Sequence, residues 1–326
     1  MRRRLVTLAA VSAAAVVLAG CGTTEPAADA TASPSAAKDI SLTDATGTKV
    51  TLKGPAKKVV GTEWDVVEHL VSLGVQPVGV ADIKGYTAWD ASAKLTGSPK
   101  DIGTRGEPSM DTVASLSPDL IVANTDLPAA AVKQLRAIAP VLVVDSADAA
   151  GQIARMKGNL DLIAEATGTT AKAGELKTAF DAKVAEGKKE LADAKLAGRA
   201  IAFADGYVAS NQVSIRPYTS GSLIGNVNEA IGLKNAWKVQ GDKDYGLGTT
   251  DVEGLSGLGD VEFAYIGNDS EPTDPFAKDL AKNSVWKNLP FVKQGNVHKL
   301  PDGIWMFGGP LSMEAYIDAL VAALTK

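Results

Sequence analysis

The chain has 326 residues, 45% of them hydrophobic and 22% charged, with a formal net charge of −5. An acidic balance argues against nucleic acid as a partner, and a single cysteine excludes an intramolecular disulfide and any cysteine-based metal centre. The length suffices for two lobes, each with a core of its own.

Arg2, Arg3 and Arg4 form a positive start, and an apolar run from Leu5 to Leu18 follows that is short for a bilayer span. Leu18-Ala19-Gly20-Cys21 resembles the bacterial lipobox, in which the cysteine is acylated and the signal before it is removed. Residues 1–20 are therefore expected to be a lipoprotein signal peptide. Cys21 is expected to carry the lipid that holds the chain on the outer side of the cell membrane. Residues 21–38, rich in Ala, Ser, Thr and Pro without apolar periodicity, read as a flexible linker.

From residue 40 short apolar runs alternate with helical stretches. Strands are expected at 58–61, 78–81, 120–123 and 141–144, and helices at 65–73, 111–116 and 129–138, where Gly74 and Pro140 act as stops. Residues 147–195 lose this rhythm and carry only helix formers, with Gly168 and Thr169 dividing them. Alternation resumes with strands at 200–203 and 261–266 and helices at 222–231 and 313–324. Strands separated by helices predict parallel pairing. The expected fold is α/β: two Rossmann-like lobes at 39–146 and 171–326, joined by one long rigid helix at 147–170, with a ligand cleft between them.

Several segments resemble the substrate-binding lipoproteins of iron–siderophore ABC importers. They are Glu63-Trp64 with the helix ending Leu73-Gly74, then Pro77 to Asp82, Ile102 to Asp111 and Leu116 to Ile121. Asn235-Ala236-Trp237, Trp286 to Val292 and Trp305 to Ser312 follow in the same order. Trp89, sixteen residues before Arg105, is similar to the site pair of the ferric-hydroxamate binders. The resemblance implies a ferric siderophore, of hydroxamate type, as ligand. It also implies no resident cofactor, because the siderophore itself holds the iron. Delivery would be to a permease and, through it, to an ATPase, by a monomer held at the membrane by its lipid.

By the same resemblance the ligand-binding candidates are Trp89, Arg105, Trp237, Tyr245, Trp305 and Phe307, with Arg216 and Tyr218 on a loop at 214–218 as further candidates. The chemistry is consistent. Aromatic rings bury the aliphatic linkers of a bulky chelate at little entropic cost, and an arginine fork donates hydrogen bonds to its oxygens. A second arginine in the cleft would favour a carboxylate-bearing siderophore. Each candidate also has a structural reading: Trp237, Trp305 and Phe307 as core residues, Arg105 as a solvated charge. The loop context of Trp89 and the glycines Gly303, Gly308 and Gly309 around Trp305 favour exposure. Trp64 suits packing and lining equally, and Asp65 reads as a helix cap. Neither is placed in the site.

Ferric citrate, another siderophore, cobalamin, haem and a signalling role without transport are the alternatives. Enzyme chemistry finds no constellation: the two histidines, His69 and His298, stand far apart in sequence, and neither has a recognisable nucleophile or carboxylate constellation around it. Lys133 and Asn226 occupy places where the family presents a glutamate to its permease, with Glu229 one turn from the latter, so the docking residues are not assigned.

Overall fold

The structure, a computed structural model, describes residues 39–209, 212–271 and 273–326. The expected signal peptide, Cys21 and linker lie outside the described residues. A hairpin of β1 (Ile40–Thr43) and β2 (Lys49–Leu52) opens the folded body, with Leu42, Val50 and Leu52 turned into the core at the period of a half-buried strand.

The first lobe is a parallel sheet of β3 (Val59–Gly61), β4 (Gly79–Val80), β5 (Lys100–Asp101), β6 (Leu120–Asn124) and β7 (Val141–Val144). Helices α1 (Trp64–Ser72), α2 (Ile83–Trp89), α3 (Met110–Ser115) and α4 (Ala129–Arg136) connect them. Every residue of β6 and β7 is buried, as expected where helices cover both faces of a sheet. The strand order is β5-β4-β3-β6-β7, so the chain winds outward from β3 in one direction and then from β6 in the other. The loops leaving β3 and β6 therefore part and open a crevice at the carboxyl edge.

The second lobe repeats the scheme with β8 (Ala200–Ala209), β9 (Gln212–Pro217), β10 (Lys234–Asn235), β11 (Glu262–Ile266) and β12 (Val297–Leu300). Its parallel order is β10-β8-β11-β12, reversing between β8 and β11. The helices are α7 (Leu223–Ala230), α8 (Ser284–Asn288), α9 (Pro290–Gln294) and α10 (Pro310–Leu324). β8 runs on past its parallel partners and pairs antiparallel with β9 from Ala204↔Pro217 to Ala209↔Gln212. Residues 214–217, expected as loop, are thus strand, and Trp89, also expected in a loop, ends helix α2.

Two helices, not one, join the lobes. Met156 near the start of α5 (Gln152–Thr167) packs in the second-lobe core, whereas Leu160, Ile163 and Ala164 pack in the first. After Gly168, whose φ of 72° turns the chain against Pro55, α6 (Thr170–Asp193) returns. Ala173 and Leu176 lie in the first core, and Phe180 and Leu191 in the second. The bridge therefore extends well past residue 170, because each helix buries one end in each lobe.

A polar contact also crosses between the lobes. Helix α10 starts at Gly309-Pro310 without a side-chain cap of its own. Glu68 of α1 supplies it: Oε1 accepts from the Ser312 amide at 2.9 Å and Oε2 from Ser312 Oγ at 2.8 Å. Glu68 is fully buried and lies beside Asp90, and burial pushes both carboxyls up, Asp90 to about 9 with Glu68 adding to the shift. Burial of the two neighbouring carboxyls therefore favours the protonated form of Asp90 in the folded state.

Replacing Glu68 by Ala strips a buried helix end of its acceptor and is expected to lower unfolding free energy by about 3 kcal/mol in urea titrations; a loss below about 1 kcal/mol would contradict the cap. Because the raised Asp90 carboxyl binds a proton that the unfolded chain, with its value of 3.8, releases, stability falls as pH rises toward 9. Between pH 7 and 9 the decline should approach about 1.4 kcal/mol per pH unit, and Asp90→Asn should flatten it.

Candidate functional site

The crevices of the two sheets face each other across a cavity of about 450 Å³. Each wall comes from a loop at a strand's carboxyl end. The first lobe contributes Glu63 and Asp65 after β3, Arg105 and Gly106 after β5, Asn124, Asp126 and Leu127 at the end of β6, and Ser146 after β7. The second contributes Arg216 on β9, Tyr245 and Leu247 after β10, and Trp305 and Phe307 after β12.

The aromatic wall is continuous. Trp305 packs edge-on against Trp64 at 4.8 Å between centroids and against Phe307 at 5.2 Å, and Phe307 meets Tyr245 at 5.4 Å. Edge-to-face geometry of this kind holds rings in place beyond what their burial does. Only part of Phe307 and Tyr245 is buried, so both present surface to the cavity.

Arg105 lies over the Trp64 ring at 4.0 Å from its centroid and donates through Nη1 to Glu63 Oε1 at 2.7 Å. That same carboxylate oxygen accepts the Trp64 amide at 3.0 Å, so Glu63, not Asp65, caps α1. Arg216 is held bidentate by Asp205, with Nε to Oδ1 at 2.9 Å and Nη2 to Oδ2, and its guanidinium stands 5.5 Å from the Phe307 ring. On the remaining side the Tyr245 hydroxyl donates to Asp126. Burial, with Asp126 beside it, keeps that phenol protonated. Burial also raises Asp65, with Glu63 adding to it, and raises Glu63 against the opposing pull of Arg105.

Five of the expected residues thus converge on the cavity: Arg105, Arg216, Tyr245, Trp305 and Phe307. Three do not line it. Trp237 is 9% exposed in the second-lobe core, where its Nε1 donates to the Phe203 carbonyl at 2.8 Å. Tyr218 is 1% exposed and sits behind the wall, donating to Asp205 at 3.1 Å beneath Phe307. Trp89 stands behind Trp305 at 6.4 Å and props it. Gly303, Gly308 and Gly309 are buried, contrary to the exposed turn expected of them. A Cβ on Gly308 would lie 2.0 Å from Glu68 Oε2, so this glycine permits the approach of α1 to α10.

The carboxylate side, Glu63, Asp65 and Asp126, was not foreseen. Its sequence signal was positional: all three follow strands on either side of the order reversal. Trp64, left aside in the sequence reading, is the platform under Arg105.

Two α/β lobes with facing switch points and a cavity between them form the architecture of a solute-binding protein. The chain belongs to the periplasmic binding protein family, matching it over residues 59–303. It is similar to a probable siderophore-binding lipoprotein of Bacillus subtilis, 28% identical over 97% of this chain and 96% of that one. A Fe(3+)-citrate-binding protein of the same organism is 30% identical over 79% of this chain and 77% of its own. Among solved structures, a siderophore-binding protein of Vibrio cholerae with Fe3+–Desferal bound gives a TM-score of 0.74 at 27% identity, over 82% of this chain and 98% of that chain.

Trp237→Phe separates core from cleft. It removes one of the two donors to the Phe203 carbonyl, which keeps the Tyr218 amide at 3.0 Å, and should cost about 0.5–1.5 kcal/mol of stability, while ligand affinity, read by calorimetry, stays within about twofold of wild type.

Proposed function

We propose that the protein captures a ferric siderophore of hydroxamate type in the inter-lobe cavity and delivers it to the permease of an ABC importer, and through it to the ATPase. The observation that carries this reading is the pairing of an aromatic wall, Trp305, Phe307 and Tyr245, with the fork of Arg105 at one edge of the same cavity. Rings bury the aliphatic linkers of a chelate. The guanidinium N–H groups not committed to Glu63 donate to hydroxamate oxygens.

Iron arrives as cargo, already enclosed by its chelator, so the protein needs to supply no metal ligands. Among the described residues no group of three or more His, Cys, Asp or Glu is placed to hold a metal ion. The bound Desferal of the Vibrio cholerae relative, a linear trihydroxamate, supports the ligand class. The similar Bacillus subtilis protein is a probable siderophore-binding lipoprotein, which supports a lipid on Cys21. A tether of this kind raises the local concentration of a monomeric binder at its permease. No helix among the described residues is long and apolar enough to cross a membrane.

The wall tryptophans give the readout. Ferrioxamine should quench fluorescence at micromolar concentration or below, ahead of ferric citrate, a ferric catecholate, cobalamin and haem. Preference for one of the others reassigns the ligand, and silence with all of them sinks the transport reading. Arg105→Ala should weaken ferrioxamine binding about tenfold or more, the loss of a charged hydrogen-bond donor; unchanged affinity removes Arg105 from the site. With two bridging helices and a buried cross-lobe cap, ligand should change the radius of gyration by less than about 1 Å in X-ray scattering.

A further inference from the structure

The charges around the cavity do not balance, and their pairing says what kind of chelate fits. Each arginine that reaches the cavity already has a carboxylate partner: Arg105 has Glu63 at 2.7 Å, and Arg216 is gripped by both oxygens of Asp205. Neither cation is left to neutralise an incoming anion, although both retain N–H groups that a neutral oxygen can accept from. The second arginine therefore does not carry the preference for a carboxylate-bearing ligand that the sequence alone pointed to.

Two carboxyl groups on the cavity wall have no cationic partner. Asp65, only 8% exposed, is met by the Val66 amide at 2.7 Å and by Asn124. Asp126 accepts the Tyr245 hydroxyl. Burial pushes the Asp65 carboxyl well up, with Glu63 and Asp126 adding to it, so Asp65 presents a protonated carboxyl and Asp126 is the acid of the pair that stands without a cation beside it. Ser146, Asn124 and Tyr245 around them bring no positive charge.

We infer that the cavity selects a ferric chelate with net positive charge, an electroneutral iron–trihydroxamate core carrying a protonated amine arm, with the ammonium directed to Asp126 and the neutral Asp65 carboxyl offering a further acceptor oxygen. This inference rests on the cavity being the ferric-siderophore site. It deepens that reading by ranking ligands of one core by the charge of their appendage. A tris-catecholate or a ferric citrate brings several negative charges to the same carboxyl groups and is disfavoured on that ground.

The test keeps the core constant and changes only the arm. Ferrioxamine B, with its free amine, is compared with its N-acetyl and N-succinyl derivatives, which are neutral and anionic at the same position. Calorimetry on the full chain should rank amine above acetyl by about tenfold or more, and acetyl above succinyl. The Asp126→Asn variant, altered at an exposed position, should bring the amine-to-acetyl ratio close to unity, whereas Asp65→Asn, which replaces a neutral carboxyl, should leave it within about twofold. High salt should narrow the ratio for the wild-type protein, since the discrimination is electrostatic. Equal binding of amine and acetyl forms, or a ratio unmoved in Asp126→Asn, overturns the charge inference and leaves the site reading standing. If none of the three binds, the site reading falls with it. Thermal melts of both variants identify any loss that comes from unfolding, and an Asp126→Ser variant repeats the test should Asn perturb the Tyr245 contact.

Discussion

Helix α10 belongs to the second lobe, yet the carboxylate that closes its N-terminus, Glu68, belongs to the first. A helix end buried without an acceptor leaves amide groups desolvated and unpaired, so the lobes gain much by keeping this contact and lose it if they separate. The need for it propagates. Glu68 lies on α1 one turn beyond Trp64, which touches Trp305 across the interface and carries Arg105 over its ring. The same cap that joins the lobes therefore also sets where the cation and the indole stand relative to each other. Gly308 is part of this arrangement because any side chain there would occupy the space of the carboxylate.

The bridging helices make the constraint two-sided. α5 and α6 each bury apolar residues in both cores, so a hinge between lobes has no single flexible strand through which to act. A cavity built this way is largely formed before its ligand arrives, which reduces the ordering cost of binding. Its polar groups are settled in the same manner. Arg105, Arg216 and Tyr245 all have carboxylate partners, and the ligand meets a set of fixed donors and rings.

Much of this was legible from residue order. The alternation of apolar runs and helical stretches led to parallel sheets, and Val141 to Val144 is strand as expected. Arg105, Arg216, Tyr245, Trp305 and Phe307 do meet at one cavity. Trp237, Tyr218 and Trp89 stand off the cavity lining, which residue order could not show: an aromatic ring serves a core, a support or a ligand wall equally well, and only its neighbours decide which. Asp65 and Asp126 were missed because a carboxylate beside a helix start is ordinary in any sequence. Their meaning depends on strand order.

The amino-acid sequence by itself determined which segments are strands and helices, because hydrophobic period and stop residues are local properties. It also placed Arg105, Tyr245, Trp305 and Phe307 on loops that follow strands. Tertiary structure alone decided which of those loops face each other, since that follows from the reversal of strand order in each sheet. It alone decided that Glu68 pairs with a helix 244 residues away, and that each cleft arginine is already matched by an acid. Long-range pairing of buried charge leaves no periodic trace in a chain, because its partners are set by the energy of burial in the finished fold.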